Sequence, residues 1–471
     1  MIIPVLLIAW VTNSAQEQTI GNPIWQKPFL FLFSITFYMY KIIMPFFLSP
    51  SYAMRPEYLI GQWWFYSSSI IPLGMGTLLW FKRKKWHRVF LLSSVVFVIG
   101  ILPVSGLKDF IFQEWSTVAD RYTYLSMFGI SILFAFIFEQ YRSLWKRGIM
   151  VSIITFFFVW SYFIQIPVWK DEITLWSSCI KNSPGEFKAF NSRGCAFMAK
   201  GEYKRALQDF NKSVSLKPHQ VEAHNNKGIL YEKLGDYSNA VLSATKAIEL
   251  NPEIFNSYVI RGKAYLNLKQ YQNAVADFSA SIKYEPNYDS SYYYRAKAYL
   301  EMGLLKKALI DVDFLLALTP SHEKAYLLRG YIHHRMERFS DSVNDFDRVI
   351  AINSKNVVAY VNKGIVLIDN RRFEDALKIF NQAEAVSGRV YEVFFNRGNT
   401  FQHMEDYDNA VINYNEAEKL IPDNPILFNN RAAAFYKLKQ YEKAIEDIEK
   451  VKSLGGTPNP LLIKHLQHFS K

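Results

Sequence analysis

Cysteine is almost absent: Cys179 and Cys195 are the only two in 471 residues. That excludes a disulfide-rich scaffold and a four-cysteine zinc site. Glycine and proline total 39 while half the residues are hydrophobic, which excludes a collagen-like or disordered chain. Charge is scarce in the first 170 residues, with 14 basic and 6 acidic side chains (net +8) against 40 and 36 (net +4) in the remaining 301. A basic excess confined to an apolar half is unlike the basic stripe of a nucleic-acid binder, so no nucleic-acid partner is expected. Phosphate loop, Gly-rich dinucleotide turn, HExxH, EF-hand loop and nucleophile elbow are all missing. No catalytic residue, metal site or cofactor is therefore assigned.

What the first 170 residues do contain is apolar runs. Stretches 63–81, 89–105, 123–138 and 149–168 approach the length needed to cross a hydrocarbon core. A fifth, 28–48, includes Lys41 and Pro45, and residues 1–11 form a shorter partial segment. Lys and Arg cluster between the first two runs (Lys82, Arg83, Lys84, Lys85, Arg88) and between the last two (Arg142, Lys146, Arg147). Positive loops stay in the cytoplasm. The expectation is an integral membrane domain over 1–170, in a bacterial inner membrane, with everything after Trp169 extracytoplasmic and the lipid bilayer as a partner.

From Phe187 the sequence repeats itself every 34 residues, eight times without insertion, to residue 458. Position 8 of the period is Gly194, Gly228, Gly262, Ala296, Gly330, Gly364, Gly398 and Ala432. Position 20 is Ala206, Ala240, Ala274, Ala308, Ser342, Ala376, Ala410 and Ala444. Small side chains at both places let two antiparallel helices approach closely. Position 4 is aromatic or His throughout, and Pro218, Pro252, Pro286, Pro320 and Pro422 at position 32 stop the second helix. This pattern resembles the tetratricopeptide repeat (TPR), which implies a right-handed α-solenoid with a concave groove. Residues 171–186 read as a half repeat joining it to the membrane domain without a flexible linker, and 459–471 as a cap. The expected fold is all-α: multi-spanning transmembrane helices followed by eight repeats and a cap.

The groove is the first candidate site. Asn226, Asn362, Asn396 and Asn430 occupy position 6, and Asn191, Asn225 and Asn429 position 5. An amide offers one acceptor and two donors, suited to the backbone of an extended protein or peptide partner. The pattern resembles the Asn ladder of the O-GlcNAc transferase family; the alternative is ordinary solvated asparagine. In the middle repeats Tyr293 and Leu327, with Ile260, Tyr294 and Leu328, replace the amides by an apolar floor. His333 falls in an aromatic core slot and reads as packed, while His334 faces the groove. Cys179 and Cys195 lie in adjoining helices, either bridged or as free buried thiols.

The second candidate is Asp120-Arg121-Tyr122, preceded by Lys41-x3-Pro45-x2-Leu48-Ser49-x2-Tyr52 and followed by Trp169-Lys170-Asp171-x3-Leu175-Trp176. Together these resemble the C-terminal half of the transmembrane-and-TPR O-mannosyltransferase family, of glycosyltransferase type C, over about 28–185. The resemblance implies that Asp120, Arg121 and Lys41 contact the lipid phosphate of a polyprenyl-phosphate sugar donor. That family's acidic catalytic loop has no counterpart in this sequence. The first expectation is thus a TPR scaffold binding protein or peptide partners. The second is a fragment or subunit of an O-mannosyltransferase, active only as part of a longer protein.

Overall fold

The computed structural model describes residues 24–43, 59–82, 88–101, 127–140 and 143–467. All regular elements among them are helices. The chain divides into two compact units, Met1–Leu234 with Glu249–Asn251, and Gly235–Ile248 with Pro252–Lys471.

The apolar part of the first unit corrects the membrane expectation. No helix among the described residues is long and apolar enough to cross a membrane. The run 63–81 is broken in two, Trp63–Ser67 and Ile70–Lys82. Two consecutive serines, Ser67 and Ser68, stand at the break. Ser67 and Ser68 turn their hydroxyls back onto the carbonyls of Trp64 and Phe65, and Thr36 donates to the Ser68 carbonyl from another helix. Helices Ile70–Lys82, Arg88–Ile101 and Met127–Gln140 cover the described parts of the other runs. Helix Leu144–Gln165 carries Lys146 and Arg147 in its first turn. Helix Lys27–Ile43 covers the described part of 28–48. The integral-membrane placement and the extracytoplasmic side of the repeats, both deduced from the spans, therefore lose their basis. Residues 1–11, the 83–87 and 141–142 loop residues, Pro45, Tyr52, Asp120 and Arg121 lie outside the described residues.

These helices instead bury a small cluster of their own. Leu30, Phe33, Phe37 and Tyr38 pack with Phe65, Phe97 and Ile101. Gly129 sits against the neighbouring helix so closely that a Cβ there would lie 2.7 Å from the Phe97 amide nitrogen. Helix Glu172–Asn182 follows, its start capped by Asp171, whose carboxylate accepts from the Thr174 amide at 2.8 Å and its hydroxyl at 2.7 Å. The hydrogen bonds hold the Asp171 carboxyl below the usual range.

From Phe187 the chain is a succession of helix pairs. Their first helices begin at Phe187, Val221, Phe255, Asp289, Glu323, Val357, Tyr391 and Pro425. In repeats 1, 3, 5, 6 and 7 the glycine of position 8 faces an aromatic ring at position 24 of the same pair. A Cβ on Gly194 would lie 2.6 Å from Phe210, and one on Gly398 2.7 Å from Tyr414. Where position 8 is Ala296 or Ala432, position 24 shrinks to Val312 or Ile448, in the same buried clusters. Position 4 does more than fill space: Tyr258 and Tyr292 donate to the carbonyls of Pro252 and Pro286, each at 3.0 Å. The proline that ends one repeat is thereby tied to the next. Helix Pro460–Leu466 closes the array, burying Leu462 and Leu466 against Ala432 and Phe435.

Candidate functional site

In the second unit a polar cleft of about 470 Å³ opens across the first helices of repeats 6, 7 and 8. Local sequence sets these helices. Asn356 caps Val357–Asp369 by accepting from the Ala359 amide at 3.0 Å, and Asn424 caps Pro425–Lys437, accepting from Ile426 at 2.9 Å with proline in the first turn. The 34-residue register then brings equivalent positions side by side.

Asn396 and Asn430, both expected from the sequence, line this cleft with Asn399, Gln402 and Tyr407. Asn430 donates to Asn399 at 3.0 Å, and the Tyr414 hydroxyl lies 2.8 Å from the side-chain oxygens of both Asn399 and Gln402. Burial pushes the Tyr414 phenol up, keeping it a neutral donor that fixes these amides. Asn396 donates to the Glu392 carbonyl one turn back, at 2.7 Å. Ile365, Ile368 and Ala433 supply apolar surface, and Asp369, His403 and Lys437 complete the lining.

The other expected residues are placed differently. Asn362 is half-buried and does not line the cleft. In the first unit Asn226 donates to Asn191 at 3.1 Å and approaches Cys195 Sγ at 3.3 Å, so these two amides engage each other, beside a half-buried Asn225. Cys179 and Cys195 are not joined in a disulfide, and burial pushes the Cys195 thiol up. Of the apolar floor, Ile260 and Leu328 are buried in the core and Tyr294 stacks on Phe278 at 5.9 Å. Tyr293 and Leu327 remain half-buried, Tyr293 against the His322 ring at 5.9 Å. His333 is buried with Nδ1 3.0 Å from Asp345, and His334 Nε2 lies 2.7 Å from Asp369 of the next repeat. Lys41 is buried, its ammonium 5.8 Å from the centre of the Phe37 ring and 5.9 Å from that of Tyr40.

Sequence reasoning missed Asn399, Gln402, Asp369, His403 and Lys437. They stand at positions 9, 12 and 13, which face inward, so the signal lay in the register.

Models of the tetratricopeptide repeat match residues 221–254, 255–288 and 427–454, and a TPR repeat model matches 194–235 and 398–439. No curated protein matches the chain. Among solved structures, a tetratricopeptide repeat protein from Parabacteroides merdae is 22% identical, with 52% of this chain and 96% of that one covered and a TM-score of 0.44. The Cut9–Hcn1 hetero-tetramer of APC/C is 14% identical, with coverages of 61% and 56% and a TM-score of 0.41. MamA from Desulfovibrio magneticus RS-1 is 22% identical, with coverages of 36% and 96% and a TM-score of 0.35. The family matches all lie within 194–454, and the O-mannosyltransferase resemblance of 28–185 finds no support in them. The helix pairs over 194–288 and 398–454 match the tetratricopeptide repeat.

Proposed function

We propose that this TPR protein binds an extended polypeptide segment in the cleft of repeats 6 to 8. The observation that carries the reading is the convergence of four side-chain amides, from Asn396, Asn399, Gln402 and Asn430, on one cleft with an apolar base. A polypeptide main chain presents donors and acceptors in alternation, which amides match without demanding a particular side chain. The hydrogen bonds from Tyr414 and Asn430 hold two of these amides before any ligand arrives. Preorganised groups lose less freedom on binding.

The test places a photo-crosslinking amino acid at Ala433, in the full chain in its native cells. Protein adducts that map to an extended segment, and that disappear when Asn396→Ala and Asn430→Ala are combined, support the reading. Adducts unchanged in the double variant reject it.

A further inference from the structure

The amides of the cleft do not distinguish one peptide from another, but its charges do. Asp369, His403 and Lys437 occupy the same register position, 13, in three successive repeats, and all three line the cleft. Along this row the charge runs from acidic in repeat 6, through a titratable imidazole in repeat 7, to basic in repeat 8. Asp369 is oriented by His334 at 2.7 Å yet its side chain stays 50% exposed. The exposed His403 ring lies flat on Phe373, 5.9 Å between centres and 3° between planes, which fixes the middle of the row. Lys437 is exposed and, among the described residues, has no carboxylate within ion-pair distance. The cleft therefore holds an anchored anion at one end and an uncompensated cation at the other, with amides between.

We propose that the cleft selects a segment of opposite polarity: a basic side chain against Asp369 and an acidic one against Lys437. This rests on the polypeptide-binding reading above and adds the ligand's charge pattern to it. A uniformly basic segment would meet repulsion at Lys437, and a uniformly acidic one at Asp369. Each mismatch exchanges an attraction for a repulsion at partly exposed sites, worth about fivefold in affinity.

The experiment uses dye-labelled, end-blocked peptides on one Gly/Ser/Val background, titrated into the full chain by fluorescence anisotropy. Two charged residues stand about four to eight positions apart, at about 3.3 Å per extended residue. The pairs are Arg and Glu, Arg and Arg, or Glu and Glu. The mixed peptide is expected to bind about fivefold or more tightly than either uniform one. Asp369→Lys should transfer the preference to the Glu/Glu peptide, and Lys437→Glu to the Arg/Arg peptide. The double exchange, Asp369→Lys with Lys437→Asp, should restore preference for a mixed peptide, now the one with Arg and Glu in the reverse order, an outcome that loss of folding cannot produce. Equal binding of all three peptides by the unaltered chain overturns the charge pattern and leaves polypeptide binding standing. Binding of none of them overturns both.

Discussion

Arg295 donates from Nε and one terminal nitrogen to the two oxygens of Asp311, at 2.8 and 2.7 Å, and from its other nitrogen to the Ser279 hydroxyl at 3.0 Å. One guanidinium thus ties the two helices of its own repeat to the second helix of the repeat before. The fork recurs at the same 16-residue spacing between Arg193 and Asp209, Arg261 and Asp277, and Arg431 and Asp447, while Arg329 engages Asp345 from the same two nitrogens. Where this position is Lys227 or Lys363, the partner position is Ser243 or Ile379. Lys363 keeps only the backward contact, to Asp347 at 2.6 Å. Arginine's planar fork is needed where a carboxylate faces it and dispensable where none does.

Arg295→Leu should accordingly cost about 3 kcal/mol, because it strands the buried Asp311 carboxylate. Changing both residues to Leu should recover most of that loss, since an apolar pair of similar bulk needs no counter-charge. Urea unfolding of the single and double variants measures both. A double variant no better than the single would mean that the fork itself, and not the stranded charge, dominates.

Gly398→Ala should destabilise by about 1–3 kcal/mol, the usual cost of forcing atoms into a filled space. The new Cβ would press on the Tyr414 ring, whose hydroxyl holds Asn399 and Gln402. Adding Tyr414→Val copies the natural pairing of Ala296 with Val312 and should restore stability without restoring the cleft. Thermal unfolding and crosslinking from Ala433 would separate the two effects.

The small residues at positions 8 and 20 were legible because close helix approach requires missing atoms, which shows in a single sequence. The arginine fork was not, since a recurring Arg reads as solvated charge and its partner lies in another helix. The exchange of Arg with Asp for Lys with Ser or Ile between repeats was the readable trace of it. In the cleft, Asn396 and Asn430 stood out as one residue type at one position. Asp369, His403 and Lys437 share a position but not a chemistry, so a search for recurrence passed over them. The apolar runs misled for a different reason. Hydropathy averages over Ser67 and Ser68, whereas their hydroxyls bond back to the carbonyls of Trp64 and Phe65 where the helix breaks.

Alkaline pH should weaken the second unit through two tyrosines. The Tyr391 hydroxyl is buried without a hydrogen-bond partner among the described residues, and burial pushes its pKa up to about 12; burial raises Tyr414 as well. An unfolded tyrosine ionises near pH 10. Above that pH the unfolded chain has released protons that the folded chain still holds, so stability falls as pH rises from about 10 toward the folded values. Tyr391→Phe should flatten this decline and gain about 1 kcal/mol at neutral pH by removing an unsatisfied group. An unchanged pH profile would show that Tyr391 is hydrated.

The turn between the two helices of each repeat makes its own prediction. Gly201, Gly235 and Gly303 have φ between 72° and 78°, and the equivalent Lys269, Glu337, Arg371, Glu405 and Lys439 have φ between 57° and 62°. The register imposes a left-handed residue at position 15 whatever side chain stands there. An L-residue held in that region costs about 1–2 kcal/mol, offset in part by the greater entropy that glycine loses on folding, about 0.5–1 kcal/mol. Lys269→Gly should therefore stabilise by about 0.5–1 kcal/mol, and Gly303→Lys should destabilise by a similar amount. Neither touches the cleft of repeats 6 to 8, so peptide affinity should stay constant while the unfolding midpoint moves in opposite directions. Movement in the same direction would mean that contacts of the side chain, and not backbone conformation, decide which residue occupies this turn.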